Sequence, residues 1–290
     1  ENNRIIGRER EIERLTDCMG AEQAQLIIVY GRRRVGKTFL INEFFEQRFT
    51  FKLTGTYGES RQFQLESFAE ELKHKTGRDI GIPKDWRAAF WLLREYLEMQ
   101  RKEEKQVIFF DEMPWLDTYK SDFLPVFEWF WNDWAQAQRN LIFIVCGSAT
   151  AWMVDKLDNN TGGLFRRQSA RIYLEPFTLH ETEMFLKSKG FEWTRYQIAE
   201  CYMIMGGIPY YLNLLNRKRS LHQNIDELFF RRRGELWDEF EHLYSTLFSN
   251  SDSYVHVVEA LSKRTGGLTR NEIIEATGLD RKSTRLKSSN

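Results

Sequence analysis

Gly31, Gly36, Lys37 and Thr38 stand in the spacing G-x-x-x-x-G-K-T, and Arg32, Arg33 and Arg34 fill the interval between the two glycines. Four cations this close in sequence repel one another unless something anionic sits among them. Residues of these types can hold a triphosphate. Glycines let the backbone curl until its N–H groups converge on phosphate oxygens, and the N-terminus of a following helix adds positive potential. Lys37 then reaches the outer phosphates, and the Thr38 hydroxyl is available to a magnesium ion. The expected binding stretch runs from Gly31 through Val35 to Phe39. The three arginine side chains radiate from such a loop toward a phosphate, an acidic residue or water.

A magnesium ion needs a carboxylate in its shell, and "VIFFDEMPW" offers Asp111 where an apolar run ends. Thr38 and Asp111 are therefore the expected metal ligands. Glu112 follows directly, where a carboxylate can orient and deprotonate a water for attack on the γ-phosphate. That residue favours hydrolysis over transfer to an acceptor, so kinase chemistry is the weaker expectation. "LIFIVCGSA" ends at Ser148, whose hydroxyl lies between the two motifs if its strand neighbours both of theirs. There it can position the attacking water or sense the γ-phosphate. "GGLFRRQSARIYL" sets Arg166 and Arg167 between flexible glycines and a last strand, a place for an arginine that stabilises transition-state charge. Lys37, Glu112, Ser148, Arg166 and Arg167 make up the expected catalytic set, with ATP and Mg2+ as the cofactors.

These residues need a frame that brings distant strand ends together. Leu26–Tyr30, Gln106–Phe110, Leu141–Cys146 and Arg171–Leu174 are short β-rich runs with little polar alternation, the pattern of buried parallel strands, and Phe49–Gly55 is a fifth. Between them "RQFQLESFAEELKHK" puts Leu65, Phe68, Ala69 and Leu72 on one helical face, and "WRAAFWLLREYLEMQ" carries a comparable stripe. The expected fold class is α/β, a parallel sheet of about five strands covered by helices on both faces. Phe127, Phe130, Trp131 and Trp134 recur at helical spacing, as in a helix packed on the sheet. After Pro176 only helical patterns continue. We place a first boundary near Pro176 and a second near Ser249–Ser253, ahead of "YVHVVEALSK" and "TRNEIIEATG". "RRRGELWDEF", from Arg231, reads as a solvated junction.

Composition limits the partners. The chain has 290 residues, with 42 Lys plus Arg against 42 Asp plus Glu, so any basic site is local. Cys18, Cys146 and Cys201 lie far apart with no C-x-x-C pair, which reads as buried thiols in a reducing compartment. No apolar run approaches the roughly 20 residues that span a bilayer. The expectation is a soluble, cytoplasmic protein with no membrane partner.

Taken in order, "IIGRERE", "YGRRRVGKTFLI", "FFDEMPWL", "CGSATAWM", "GGLFRRQSARIYLEPFTLHE" and "GGIPYYL" resemble the archaeal-type ATPase family, P-loop proteins related to the AAA+ and STAND ATPases. The likeness runs from about Ile5 to Leu279. It implies a P-loop ATPase core over residues 1–176, an all-α lid over 177–248 and a partial winged-helix or helix-turn-helix module over 249–279. It further implies that Gly7 and Arg8 sit near the adenine and that Pro209 is the lid proline packed on the base. In AAA+ relatives an arginine placed like Arg166 or Arg167 often reaches a neighbour's nucleotide, which implies self-association. No arginine stands directly around "GGIPYYL", a departure that favours a STAND-like switch set by nucleotide state. The tail 280–290, "DRKSTRLKSSN", looks like a translated adapter and is expected to be non-native.

The expected function is ATP binding and magnesium-dependent ATP hydrolysis that drives a conformational switch. The alternative is a nucleotide-gated regulator that holds ATP or ADP with negligible turnover and acts on DNA or a protein through an intact C-terminal region. Gly278 marks the turn of a helix-turn-helix whose next helix would read DNA. As written, the module is expected to bind DNA only weakly.

Overall fold

The computed structural model describes residues 5–100, 104–158, 169–239 and 251–279. The chain divides into two compact units, one reaching to Leu215 and one starting at Asn216.

In the first unit, α1 (Glu9–Gly20), β1 (Gln25–Tyr30), α2 (Lys37–Phe44), β2 (Phe51–Thr54), α3 (Arg61–Thr76), α4 (Trp86–Glu98), β3 (Gln106–Asp111), α5 (Phe123–Asp133) and β4 (Leu141–Gly147) follow in order. Then come α6 (Thr150–Trp152), which continues into a π-helical stretch at Met153–Asp158, β5 (Ala170–Tyr173), α7 (Leu179–Ser188), α8 (Arg195–Met205) and α9 (Pro209–Asn213). The five strands form one sheet in the order β2-β3-β4-β1-β5, and every pairing is parallel. Parallel neighbours need a crossover between them, and the helices that supply it cover both faces. All five expected strands are present, the shortest being β2 and β5.

Covering both faces explains why these strands lack polar alternation. Leu26, Ile28, Ile108, Phe110, Leu141, Phe143 and Val145 point into one core with α3, α4 and α5. Ile27, Val29, Val107, Phe109, Ile142, Ile144 and Cys146 point into the other with α1 and α2. The period of two that alternates polar and apolar in a half-exposed strand here alternates between two apolar cores. The first core is aromatic. The Phe90 ring lies 5.0 Å from Phe130, 5.9 Å from Phe110 and 6.0 Å from Phe123. Phe127, Phe130, Trp131 and Trp134 are buried, so the aromatic stripe of α5 packs on the sheet. Each such ring contributes roughly 2 to 3 kcal/mol by burial.

Helix ends are marked in the sequence. Ser60 caps α3 and Asp85 caps α4, while Thr178 with Glu181 and Thr194 with Gln197 form complete capping boxes on α7 and α8. Gly206 ends α8 in the left-handed region, and Pro209 opens α9 at its first turn.

In the second unit, α10 (Leu221–Ile225) runs into a π-helical turn at Asp226–Phe230, and buried Asn224 ties its start to the backbone at Asn216, Arg219 and Ser220. Arg231, Arg232 and Arg233 are exposed, as in a solvated junction. Helices Ser251–Ser262 and Arg270–Thr277 match the two helical segments read from the sequence, the second capped by a Thr269–Glu272 box and ended by Gly278. The expected next helix and the tail 280–290 lie outside the described residues. Among the described residues no helix is long and apolar enough to cross a membrane.

Candidate functional site

The loop after β1 is shaped by backbone conformations that its residue types permit. Gly31 has φ 148°, and a Cβ there would stand 2.3 Å from the carbonyl oxygen of Leu174, just past β5. Only glycine allows that approach. Arg34 and Gly36 have φ 70° and 94°, which turn the chain into α2. No side chain caps the N-terminus of α2, so its first N–H groups are left to whatever the loop encloses. Lys37 is buried, and its ammonium group donates to the carbonyl oxygens of Gly31 and Arg32, both at 2.9 Å. It thereby ties the two ends of the loop together.

The acids meet this loop across the sheet. The Thr38 hydroxyl donates to the Asp111 carboxylate, 2.9 Å from Oδ2 and 3.1 Å from Oδ1. Burial pushes the Asp111 carboxyl above its usual range, against the Thr38 hydrogen bond that draws it down. Glu112 takes a left-handed conformation, φ 47° and ψ 45°, and its N–H donates to Asp111 Oδ1 at 3.1 Å. Its carboxylate is held by Ser148, whose N–H and hydroxyl donate to Oε2 at 3.1 and 2.9 Å. That contact exists because β4 lies between β1 and β3, the condition on which the sequence reading of Ser148 depended.

Lys37, Thr38 and Glu112 open into a cavity of about 460 Å³, whose lining also includes Ile5, Phe177, Phe185 and Pro209. A volume of this size suits a nucleotide-sized ligand, and its lining combines Lys37, Arg34 and Glu112 with apolar and aromatic side chains. Arg8 lines the cavity as well. Its guanidinium donates to the Val35 carbonyl at 3.3 Å, lies 4.7 Å over the Phe177 ring and stands 3.9 Å from Glu11. Burial draws Arg8 below its ordinary value, with Glu11 and Glu181 opposing. Gly7 sits against the Glu181 side chain, which a Cβ would meet at 2.8 Å.

Of the loop cations, Arg32 and Arg33 are exposed and lie outside the cavity lining, whereas Arg34 lines the cavity and also turns onto α9. Its guanidinium lies 4.7 Å from the Tyr210 ring centre and 5.7 Å from that of Tyr211, and its carbonyl accepts the Tyr210 N–H at 3.4 Å. Val35 is buried beneath the loop, and Phe39 is half exposed at the cavity rim. Arg166 and Arg167 lie outside the described residues. Sequence reasoning passed over Phe177, Phe185, Lys189 and Tyr210. They join the cavity only because α7 and α9 fold back on the loop; Phe177 stands inside "GGLFRRQSARIYLEPFTLHE" and Tyr210 inside "GGIPYYL", whereas Phe185 and Lys189 carried no signal in the sequence.

Hard oxygen donors suit magnesium, which keeps several waters and takes one or two protein oxygens beside substrate phosphates. Thr38 and Asp111 supply that minimal set. Among the described residues no group of three His, Cys, Asp or Glu could hold a metal.

A family model described as "ATPase domain predominantly from Archaea" matches residues 5–215. An uncharacterized protein of Methanocaldococcus jannaschii is 24% identical over 265 residues, covering 89% of this chain and 54% of that relative. The chain therefore spans about half the length of that relative. In fold, it is similar to the Walker-type ATPase of Pyrococcus abyssi, with a TM-score of 0.61, 17% identity and coverage of 94% and 90% of the two chains. It is also similar to the ORC2 protein of Aeropyrum pernix in its ADPNP and ADP complexes, with a TM-score of 0.56, 13% identity and coverage of 95% and 81%.

Proposed function

The chain belongs to the family of ATPase domains found predominantly in Archaea, and from that premise we propose that it binds ATP with magnesium, hydrolyses it and signals the nucleotide state through the helices after β5. The carrying observation is Glu112, whose carboxylate is fixed by two Ser148 donors in the same cavity that holds Lys37 and Thr38.

In this reading the N–H groups of the loop and of the start of α2 bind the phosphates, and Lys37 neutralises the outer ones. Magnesium, held through Thr38 and Asp111, would supply charge neutralisation at the β- and γ-phosphates. Ser148 aims the Glu112 carboxylate, and Glu112 accepts a proton from the attacking water as its oxygen bonds to the γ-phosphorus. The bond from that phosphorus to the bridging oxygen breaks, leaving ADP and inorganic phosphate. Arg8, Phe177 and Pro209 form the base side. Arg34 supports a coupling role, because it joins the phosphate loop to the Tyr210–Tyr211 pair at the start of α9.

Multiple-turnover phosphate release with parallel ATP-binding measurements tests the proposal. Lys37→Ala removes the cation facing the outer phosphates and is expected to abolish binding. Glu112→Gln keeps the shape but cannot take the proton, so binding survives and turnover falls by about 10² or more. Parental turnover in Glu112→Gln would overturn the assignment. Absence of turnover in the parent, with tight ATP binding, would favour a nucleotide-gated regulator.

A further inference from the structure

Glu112 sits in a backbone conformation that a residue with a side chain rarely keeps unless its surroundings impose it. What surrounds it includes residues that do not line the cavity. The Gly55 N–H donates to the Asp111 carbonyl at 2.9 Å, and a Cβ on Gly55 would stand 2.4 Å from the Glu112 carbonyl oxygen. On the other flank a Cβ on Gly147 would meet Pro114 at 2.7 Å. The turn Glu112–Trp115 is therefore pressed between two glycines, one after β2 and one at the end of β4.

Gln64 closes this arrangement. It is fully buried on α3, yet its side chain is entirely polar at the tip. Its amide nitrogen donates to the Thr56 carbonyl at 2.7 Å and to the Trp115 carbonyl at 3.3 Å, while its oxygen accepts the Thr56 N–H at 3.2 Å. One side chain thus fastens the loop after β2 to the turn that follows Glu112. The Trp115 N–H in turn donates to the Glu112 carbonyl at 3.0 Å, so the fastening reaches the acid through a single residue. A leucine at this position would fill a helix-packing site equally well. A buried amide that makes three hydrogen bonds serves geometry, because its own burial is unfavourable unless every partner is met.

We infer that Gln64 is a positioning residue for Glu112, setting the direction of the carboxylate without touching the nucleotide. This inference rests on the reading of Glu112 as the base for water. A displacement of about 1 Å at a reacting group can lower a rate by roughly 10². Loss of the Gln64 amide should therefore act on turnover and spare ATP binding, since Lys37, Thr38 and the loop lie on other elements.

The experiment compares Gln64→Met, Gln64→Glu and Gly55→Ala with the parent in the full chain, measuring kcat and KM for ATP and the affinity for ATP by direct titration. Each variant is also made in the Glu112→Gln background. Gln64→Met is expected to lower kcat by about 10- to 100-fold with KM and ATP affinity within about twofold. Gln64→Glu, which keeps the acceptor for the Thr56 N–H but loses the donor to the Trp115 carbonyl, should show the same kcat-only loss. Gly55→Ala, which forces the Glu112 carbonyl aside, should match Gln64→Met in the kcat-only effect. In the Glu112→Gln background none of the three should lower the residual rate further, because the group they aim is already disabled. Parental kcat in Gln64→Met would overturn the inference, as would an equal fall in both backgrounds or a loss of ATP binding that accompanies the loss of rate. If Glu112→Gln alone turned over at the parental rate, the reading of Glu112 would fail first and take this inference with it, an outcome distinct from the others.

Discussion

Replacing Arg8 by alanine removes a group that joins three elements. Arg8 precedes α1, its guanidinium donates to the Val35 carbonyl of the loop after β1, and its face covers the Phe177 ring beyond β5. Its backbone N–H supports the Glu181 carboxylate, a contact that alanine keeps. The hydrogen bond contributes about 1 kcal/mol and the desolvated cation–π contact about 1 to 2 kcal/mol. The pairing with Glu11 at 3.9 Å adds about 0.5 kcal/mol. Burial of the guanidinium opposes these, as its lowered pKa records, and that cost is returned when the group is removed. The expected net loss is about 2 kcal/mol. For a unit of this size each kcal/mol shifts Tm by about 2 to 4 °C, so Arg8→Ala should melt about 4 to 8 °C lower by calorimetry. Because Arg8 also lines the cavity, saturating ATP should raise the variant's Tm less than the parent's. An unchanged Tm would refute the packing argument, and an undiminished shift with ATP would refute the link to the cavity.

Gly31→Ala places a Cβ 2.3 Å from the Leu174 carbonyl at φ 148°, so the loop must move. Loss of ATP binding by titration is expected, and parental affinity would show that the loop geometry does not matter. Burial pushes the thiols of Cys18, Cys146 and Cys201 upward, Cys201 to about 12. The native protein should therefore give no fast reaction with a thiol-specific chromophore at pH 8 and should react fully once unfolded; prompt native labelling would contradict the burial. Partial burial raises the Glu181 carboxyl, but the Thr178 hydrogen bonds and the Arg8 charge outweigh it and hold the group below its ordinary 4.5. A depressed carboxylate contributes stability that is present above 4.5 and is lost as pH falls through the lower folded value. Glu181→Gln should therefore flatten the acid side of the Tm-against-pH curve below pH 4.5 and leave its slope near pH 7 unchanged; a parental acid limb in the variant would count against this.

The chain of residues carried its strands openly. β1, β3 and β4 are apolar throughout because both faces of the sheet are covered, and that dictates composition residue by residue. The loop after β1 was legible for a similar reason: close backbone approach leaves only glycine at Gly31, a local requirement that sequence must display. Ser148 was legible only as a conditional, since nothing within "LIFIVCGSA" says which strands lie beside it. The order β2-β3-β4-β1-β5 settled its neighbours, because pairing between parallel strands is a choice among distant segments. The same holds for Arg34, which could have faced phosphate, acid or water from sequence alone. Folding of α9 onto the loop gave it the rings of Tyr210 and Tyr211. Gln64 lay unnoticed inside an amphipathic helix, because a polar residue on an apolar stripe looks like a defect until its three partners are brought to it. Requirements of backbone conformation and two-sided burial act locally and are written in residue types, whereas the direction of a side chain depends on which remote segment arrives opposite it, and only the tertiary structure decides that.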